Sequence, residues 1–392
     1  MREKKHGLFY IIAFACFFTA LYQNEGLMKY IVYLFFIYLL FIRFLAQKYR
    51  MVLQDNRVLF ILMGPPFFAI LYTLLIGGLS SSERMIFFLK DAVFITIPII
   101  FAFFMILHAP SRKGLLWVLF LALVSEYVFR ALPSLSELPE YIAQGLLNPL
   151  NSDSPLESGS AYTFGLFMLY FIHSKASRKT IIFTVLMVLL ANKRIVTFSL
   201  PLCLLAYYLL SRFSNATSEK RHILFGAGAA LSIIAQLAFV YLLHSGKFIE
   251  WLRIYGISHM GRAGLYVNIV SDYSISADFM GHGIGFALYR LEGINLHSDV
   301  LKLYIELGFW GFLLYNLLFF RIAFHVNKQG YGHSAAFIFT LLIYSIFLYF
   351  TDNVSIYINY LIPFYMMIFA EIKGMGLVHR MNPERICRGF EG

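Results

Sequence analysis

Charge is scarce in this chain. Asp, Glu, Lys and Arg together make up 14% of its 392 residues, against roughly a quarter in an ordinary soluble protein. So few charges cannot cover the water-facing surface of a chain this long, which excludes a soluble globular fold. Cysteine is scarcer still. Cys16 and Cys203 lie in apolar runs and Cys387 in a basic tail, a scatter that excludes a disulfide framework or a thiolate metal site. Internal repeats and low-complexity tracts are missing, and no group of His, Asp and Glu has metal-ligand spacing. The first apolar run ends ALYQNEG without a small-x-small cleavage site, so it reads as a retained span and not a removed signal.

What remains is apolar. The hydrophobic fraction is 60% and the mean hydropathy +0.72. Runs of about twenty apolar residues, the length that crosses a bilayer, recur along the whole sequence. They fall at 7–22, 27–46, 58–79, 85–107, 114–131, 160–174, 176–191, 195–211, 222–243, 300–323, 334–350 and 354–372. The expected fold is an all-α polytopic membrane domain over 1–392 with about twelve transmembrane helices. An even number of spans puts both termini on one side. Lys and Arg gather on that side, which the positive-inside rule makes cytoplasmic. The net charge of +11 is thus a topological signal and calls for no nucleic-acid partner. Two longer polar segments, 132–159 and 244–297, then lie outside the cytoplasm.

Several features interrupt the apolar runs. Gly64-Pro65-Pro66 should kink or break its helix, either shaping a cavity or serving packing. Lys90 and Asp91 lie inside a span, where charge marks a functional site unless both snorkel to the interface. Glu126 and Arg130 are four apart and form a structural pair on one helix face. The outer segment from Leu132 to Ser158 has four Pro, four acidic residues and no Lys or Arg. It either rims a sugar-binding entrance or simply connects. Asn215-Ala216-Thr217 matches a glycosylation sequon but falls on the cytoplasmic side.

The turn ANKRIVTFSLP holds only Asn192, Lys193 and Arg194 between two apolar runs. So short a turn pins two cations at the membrane surface, to grip either a lipid-linked phosphate or ordinary lipid headgroups.

The segment His244–Gly311 is the richest. It is long, polar, free of proline and well supplied with Trp, Tyr, Ile and Leu, so it should fold. Arg262 sits in HMGRAGLYVNIV, a short helix by its apolar pattern. GHGIG has the wrong spacing and no strand context for a dinucleotide fingerprint; it reads as a flexible or closely packed turn. Arg290 follows it. Then comes NLHSDVLKLYIELGFWG, where Asp299, Lys302 and Glu306 share one helical face. A helix starting near Ser298 would set His297 at its N-terminus, beside backbone N–H groups that attract anions and keep an imidazole neutral. His297 is either a structural residue there or a base.

A turn with Arg194, a long outer loop with Arg262, a glycine-rich stretch and HSDVLKLYIELGFWG occur in the order found in the bacterial O-antigen polymerase and ligase superfamily, which the chain resembles. The family's C-terminal motif matches His297, Ser298, Leu301, Gly308 and Gly311; Lys193 stands where the family often has Ser. The resemblance implies a GT-C-like membrane glycosyltransferase architecture in the bacterial inner membrane. It also implies metal-free, cofactor-free transfer of glycan from undecaprenyl diphosphate at the periplasmic face. Arg194 and Arg262 would bind the diphosphate, with Lys193 and Arg290 beside them. His297 would deprotonate the acceptor hydroxyl, and Asp299, Glu306, Lys90 and Asp91 would support the site. Polymerisation of repeat units is the leading expectation, with a chain-length regulator as a partner implied by the resemblance. The alternatives are ligation of finished polymer to lipid A core and, in a different class, membrane transport.

Overall fold

The computed structural model describes residues 3–22, 34, 37, 38, 53–79, 81–137, 139, 140, 156–255 and 262–381. Among these residues the regular structure is helical, without strands. The helices run α1 (Glu3–Tyr22), α2 (Leu53–Leu75), α3 (Ser82–His108), α4 (Arg112–Ala131) and α5 (Ser160–His173). Next come α6 (Arg178–Leu190), α7 (Arg194–Arg212), α8 (Ser218–His244), and the short α9 (Lys247–Ile254), α10 (Arg262–Ile269) and α11 (Phe286–Arg290). The chain closes with α12 (Asp299–Lys328), α13 (Gly332–Tyr349) and α14 (Ile358–Met381). Each apolar run read from the sequence coincides with a helix, except 27–46, which lies almost wholly outside the described residues.

Seven of these helices are long and apolar enough to cross a membrane: α2, α3, α4, α7, α8, α12 and α13. The protein is a helical membrane protein. Within the bundle, 78% of the apolar window of α13 is buried but only 28% of those of α7 and α8. That puts α13 near the centre and leaves α7 and α8 on the flank. The sequence of α7 shows why. Val196, Ser199, Leu200, Cys203 and Tyr207 recur at helical spacing and are buried, while Phe198, Leu202, Leu205 and Leu209 form the opposite, exposed stripe. Between α8 and α12, Gln236 donates to Asn316 at 3.0 Å, an interhelical hydrogen bond of the kind that fixes packing where water is absent.

Two features depart from simple rods. Gly64-Pro65-Pro66 does not break α2, which runs on to Leu75. Both prolines are buried, and packing against α12 tolerates the missing N–H donors. The break falls in α12 instead, at Gly308, whose φ of +66° divides it into 299–307 and 309–328. The turn before α11 fills the gap. His282 N–H donates to the Ile305 carbonyl (3.1 Å), Gly283 N–H to that of Glu306 (2.7 Å), and Phe309 N–H to that of Phe279 (2.9 Å). A Cβ on Gly308 would lie 2.3 Å from the backbone of Phe279 and Met280, and one on Gly281 2.4 Å from Gly308 N. GHGIG is therefore a closely packed turn, glycine because two backbones touch.

The ends of the bundle are equally specific. Glu126 pairs with Arg130, as their spacing suggests, and Arg130 also donates to the carbonyls of Leu21 and Tyr22 (2.8 and 2.7 Å), fastening α4 to the end of α1. Ser158 N–H bonds the Ala191 carbonyl (3.0 Å), and Asp299 N–H that of Asp352 (3.2 Å). Because the Tyr162 hydroxyl also donates to Asp352, the starts of α5, α7 and α12 and the ends of α6 and α13 meet at one end.

Candidate functional site

A cavity of about 310 Å³ opens at that end, lined by Glu157, Tyr162, Lys193, Arg194, Ile195, Phe198, Arg262 and Thr351. Its size is at the lower bound of small-molecule sites. Three of its lining residues are cations, the neighbours Lys193 and Arg194 and the remote Arg262.

The turn between α6 and α7 supplies two of them. Asn192 takes the left-handed conformation (φ +39°), which Asn tolerates better than most residues. Lys193 is the extended N-cap residue and Arg194 opens α7, so both cations sit where a helix dipole favours an anion. The third cation opens α10. Arg262 donates from Nη1 to the Thr351 carbonyl at 2.7 Å. Tyr266 and Ile269, both buried, dock α10 on the bundle, and the Tyr266 hydroxyl donates to the His297 carbonyl at 3.3 Å. Burial pushes the Tyr266 hydroxyl up to about 12, so it remains a neutral donor.

His297 stands beside the cavity and is not part of its lining. It precedes the N-cap, Ser298, whose hydroxyl accepts from Leu301 N–H (3.3 Å). Its φ is +56°, a strained conformation for a side-chain-bearing residue and one that clusters at functional sites. The ring is 39% exposed, open to a solute, and its Nδ1 lies 3.5 Å from Oδ1 of Asp352. Asp352 is buried and heavily ligated. Tyr162 donates to its Oδ2, and Tyr357 and Asn353 N–H to its Oδ1, each at 2.8 Å. Burial pushes this carboxyl up, but the facing His297 ring and the donors Tyr162, Tyr357 and Asn353 outweigh it. Together they hold the carboxyl well below the usual carboxylate range. An ionised carboxylate opposite Nδ1 favours the tautomer with its proton there, which leaves the Nε2 lone pair available as a base.

Asp299 supports this arrangement from behind. Its carboxylate accepts from Ser355 N–H (2.7 Å) and the Ser355 hydroxyl (2.5 Å), tying the start of α12 to the turn that carries Asp352. The remaining sequence-predicted residues lie elsewhere. Arg290 pairs with Asp272 at 2.9 Å and does not line the cavity. Asp91 does not snorkel: it is buried and pairs with Lys302 at 2.7 Å. Lys90, next to it, is exposed. Glu306 accepts the N–H groups of Gly285 (3.0 Å) and Ala287 (3.2 Å), so it anchors the glycine turn.

Sequence reasoning missed Asp352, Tyr162, Tyr357 and Glu157. Asp352 lies in the Thr351–Asn353 turn between two apolar runs, where Asp and Asn are ordinary turn residues. Tyr162 sits in an apolar helix as one aromatic among many. Glu157 is one of four acids between Leu132 and Ser158. Only the fold distinguishes them.

No protein-family model matches this chain, and comparison with curated proteins and with solved structures likewise finds no match.

Proposed function

We propose that this protein is a membrane glycosyltransferase that joins undecaprenyl-diphosphate-linked oligosaccharide repeat units into O-antigen, capsule or a related surface polysaccharide. The observation that carries the reading is the convergence of Lys193, Arg194 and Arg262 on one cavity, with the His297–Asp352 pair beside it. Cations from two helix starts suit a diphosphate, and a carboxylate-oriented imidazole suits removal of a hydroxyl proton. In this reading the chain has about twelve spans in a GT-C-like arrangement. It sits in the bacterial inner membrane with both termini cytoplasmic and the cavity on the periplasmic side.

The reaction then runs as follows. His297 Nε2 takes the proton of an acceptor sugar hydroxyl as that oxygen attacks the donor's anomeric carbon. The bond between that carbon and the phosphate oxygen breaks, and the lipid diphosphate leaves with the electron pair. Arg194, Arg262 and Lys193 stabilise the charge that develops on it. Asp352 holds the imidazole and balances the imidazolium, as the acid of a triad does.

The test is the purified protein in nanodiscs with undecaprenyl-diphosphate-linked repeat units. A ladder of polymer supports the proposal; transfer only to a lipid A core acceptor makes the protein a ligase. The intramembrane Asp91–Lys302 pair favours transport as a second reading. Flux of lipid-linked glycan across proteoliposomes without any new glycosidic bond would establish it in place of transfer.

A further inference from the structure

Among the described residues lining the cavity, Glu157 is the one carboxylate. An acid repels the diphosphate that is to bind there, yet its position is firmly built. The Leu156 carbonyl accepts from the Tyr127 hydroxyl (3.1 Å), and Ser158 N–H holds the Ala191 carbonyl (3.0 Å). Glu157 is thus pinned between two fixed points, and its Oε1 pairs with Lys193 Nζ. Both side chains are about one-fifth exposed, 20% and 22%, so the pair is neither deeply buried nor fully screened.

The two states of the lipid carrier differ in charge. A diphosphate esterified at both ends, as in the donor, carries one charge on each phosphate. Once the glycan has left, the terminal phosphate is a monoester and carries up to about one further negative charge. A site of three cations alone would therefore hold the spent carrier more tightly than the donor. A fixed carboxylate beside the terminal phosphate opposes that order, because repulsion grows with the charge it faces. Lys193 adds to the effect, since it must leave Glu157 to serve the extra charge.

We propose that Glu157 is a resident counter-ion that discriminates against the spent lipid diphosphate, so that the cavity releases its product and takes up the next donor. The inference rests on the diphosphate reading above. Glu157 touches no reacting atom in it; it acts through Lys193 and through the field in the cavity.

Two probes separate the possibilities: farnesyl diphosphate, whose terminal phosphate is free, and the same lipid diphosphate capped by a sugar. Their affinities are measured by titration calorimetry on the full chain in detergent. Glu157→Gln should tighten farnesyl diphosphate about tenfold and the capped probe by only about threefold, the difference reflecting one extra charge at close range. Glu157→Asp, which keeps the charge, should restore the wild-type order. In multiple turnover, Glu157→Gln should lower KM and kcat together and give a burst of product followed by a slow phase set by release. Equal tightening of both probes, or weaker binding of both, would overturn the proposal and leave Glu157 as a brace for Lys193. If the wild type binds neither probe and Arg262→Ala changes nothing, the diphosphate reading itself fails and this inference with it.

Discussion

Arg262 donates to the carbonyl of Thr351 at 2.7 Å, which ties a cavity-lining cation to the residue next to Asp352. The cation is therefore joined directly to the turn that carries the carboxylate facing His297. This link relates residues on a short helix between spans to a turn between two others, and it makes the cavity and the histidine a single unit.

His297→Ala should leave the protein inserted and folded while lowering polymer formation by about 10²–10⁴, the usual loss when a positioned base is removed. His282→Ala is the control. Its ring stacks on Phe286 and its Nε2 lies 2.6 Å from the Asp272 carbonyl, so its loss should cost stability but not the chemistry. Polymer ladders from a deletion strain at matched protein level decide. Normal ladders from His297→Ala would make this residue structural.

Asp352→Asn should reduce turnover by up to about 10⁴, since the imidazole loses the partner that fixes its tautomer. The pH dependence follows from the lowered carboxyl. Its folded-state value lies below its unfolded one, so its stabilisation is complete above the unfolded carboxylate range. That stabilisation is lost only as pH falls through the folded value. Thermal melts should show Asp352→Asn destabilised by roughly 1–3 kcal/mol, equally at pH 5 and pH 8. A gap that closes between those two values would contradict the ionised state.

Arg194→Lys and Arg262→Lys keep the charge but lose the planar fork. Each should weaken binding of a prenyl diphosphate by about tenfold or more if the contact is bidentate. Arg253→Ala, on exposed α9, should leave it within about twofold, as surface positions do. Equal affinities for all three variants would remove the phosphate-binding role.

Gly308→Ala should destabilise by about 3 kcal/mol or more, because a methyl group meets backbone at 2.3 Å in a left-handed conformation. Gly64→Ala, with nothing within 4 Å of the added carbon, should be tolerated. Yield of monodisperse protein in detergent distinguishes them. Comparable yields would show that the break in α12 can relax.

Orientation is tested by labelling. In a Cys387→Ser background, with Cys16 and Cys203 buried, Ser271→Cys should react with an impermeant thiol reagent in intact cells and Gln329→Cys should not. The reverse pattern would turn the topology over.

The sequence made the helices legible because a bilayer demands long apolar runs, and hydropathy reads those directly. It also marked the three cavity cations, since Arg and Lys are conspicuous where little else is charged. It left open whether Gly64-Pro65-Pro66 kinks or breaks its helix, because whether proline ends a helix depends on what packs against it, and that is a tertiary fact. The depth of Asp91 was illegible for the same reason. Its partner Lys302 is more than two hundred positions away and becomes its neighbour only when α3 and α12 meet. Asp352 gave no signal at all. A three-residue turn looks alike whether its acid faces water or a histidine.

The glycine turn wedged into α12 bears on how the protein is made. Ile284 N–H bonds the Thr73 hydroxyl across 211 positions, and the Tyr72 hydroxyl bonds the Met280 carbonyl across 208. α2 leaves the ribosome long before this turn does, so its two bonding groups wait for their partners while half the protein is still being synthesised. Contacts so remote in sequence form late. The carbonyls of Ile305 and Glu306 need the same turn, and His297 hangs on the half-helix those carbonyls belong to. Asp352 arrives later still. The cavity and the His297–Asp352 pair beside it are thus complete only once nearly the whole chain has been made.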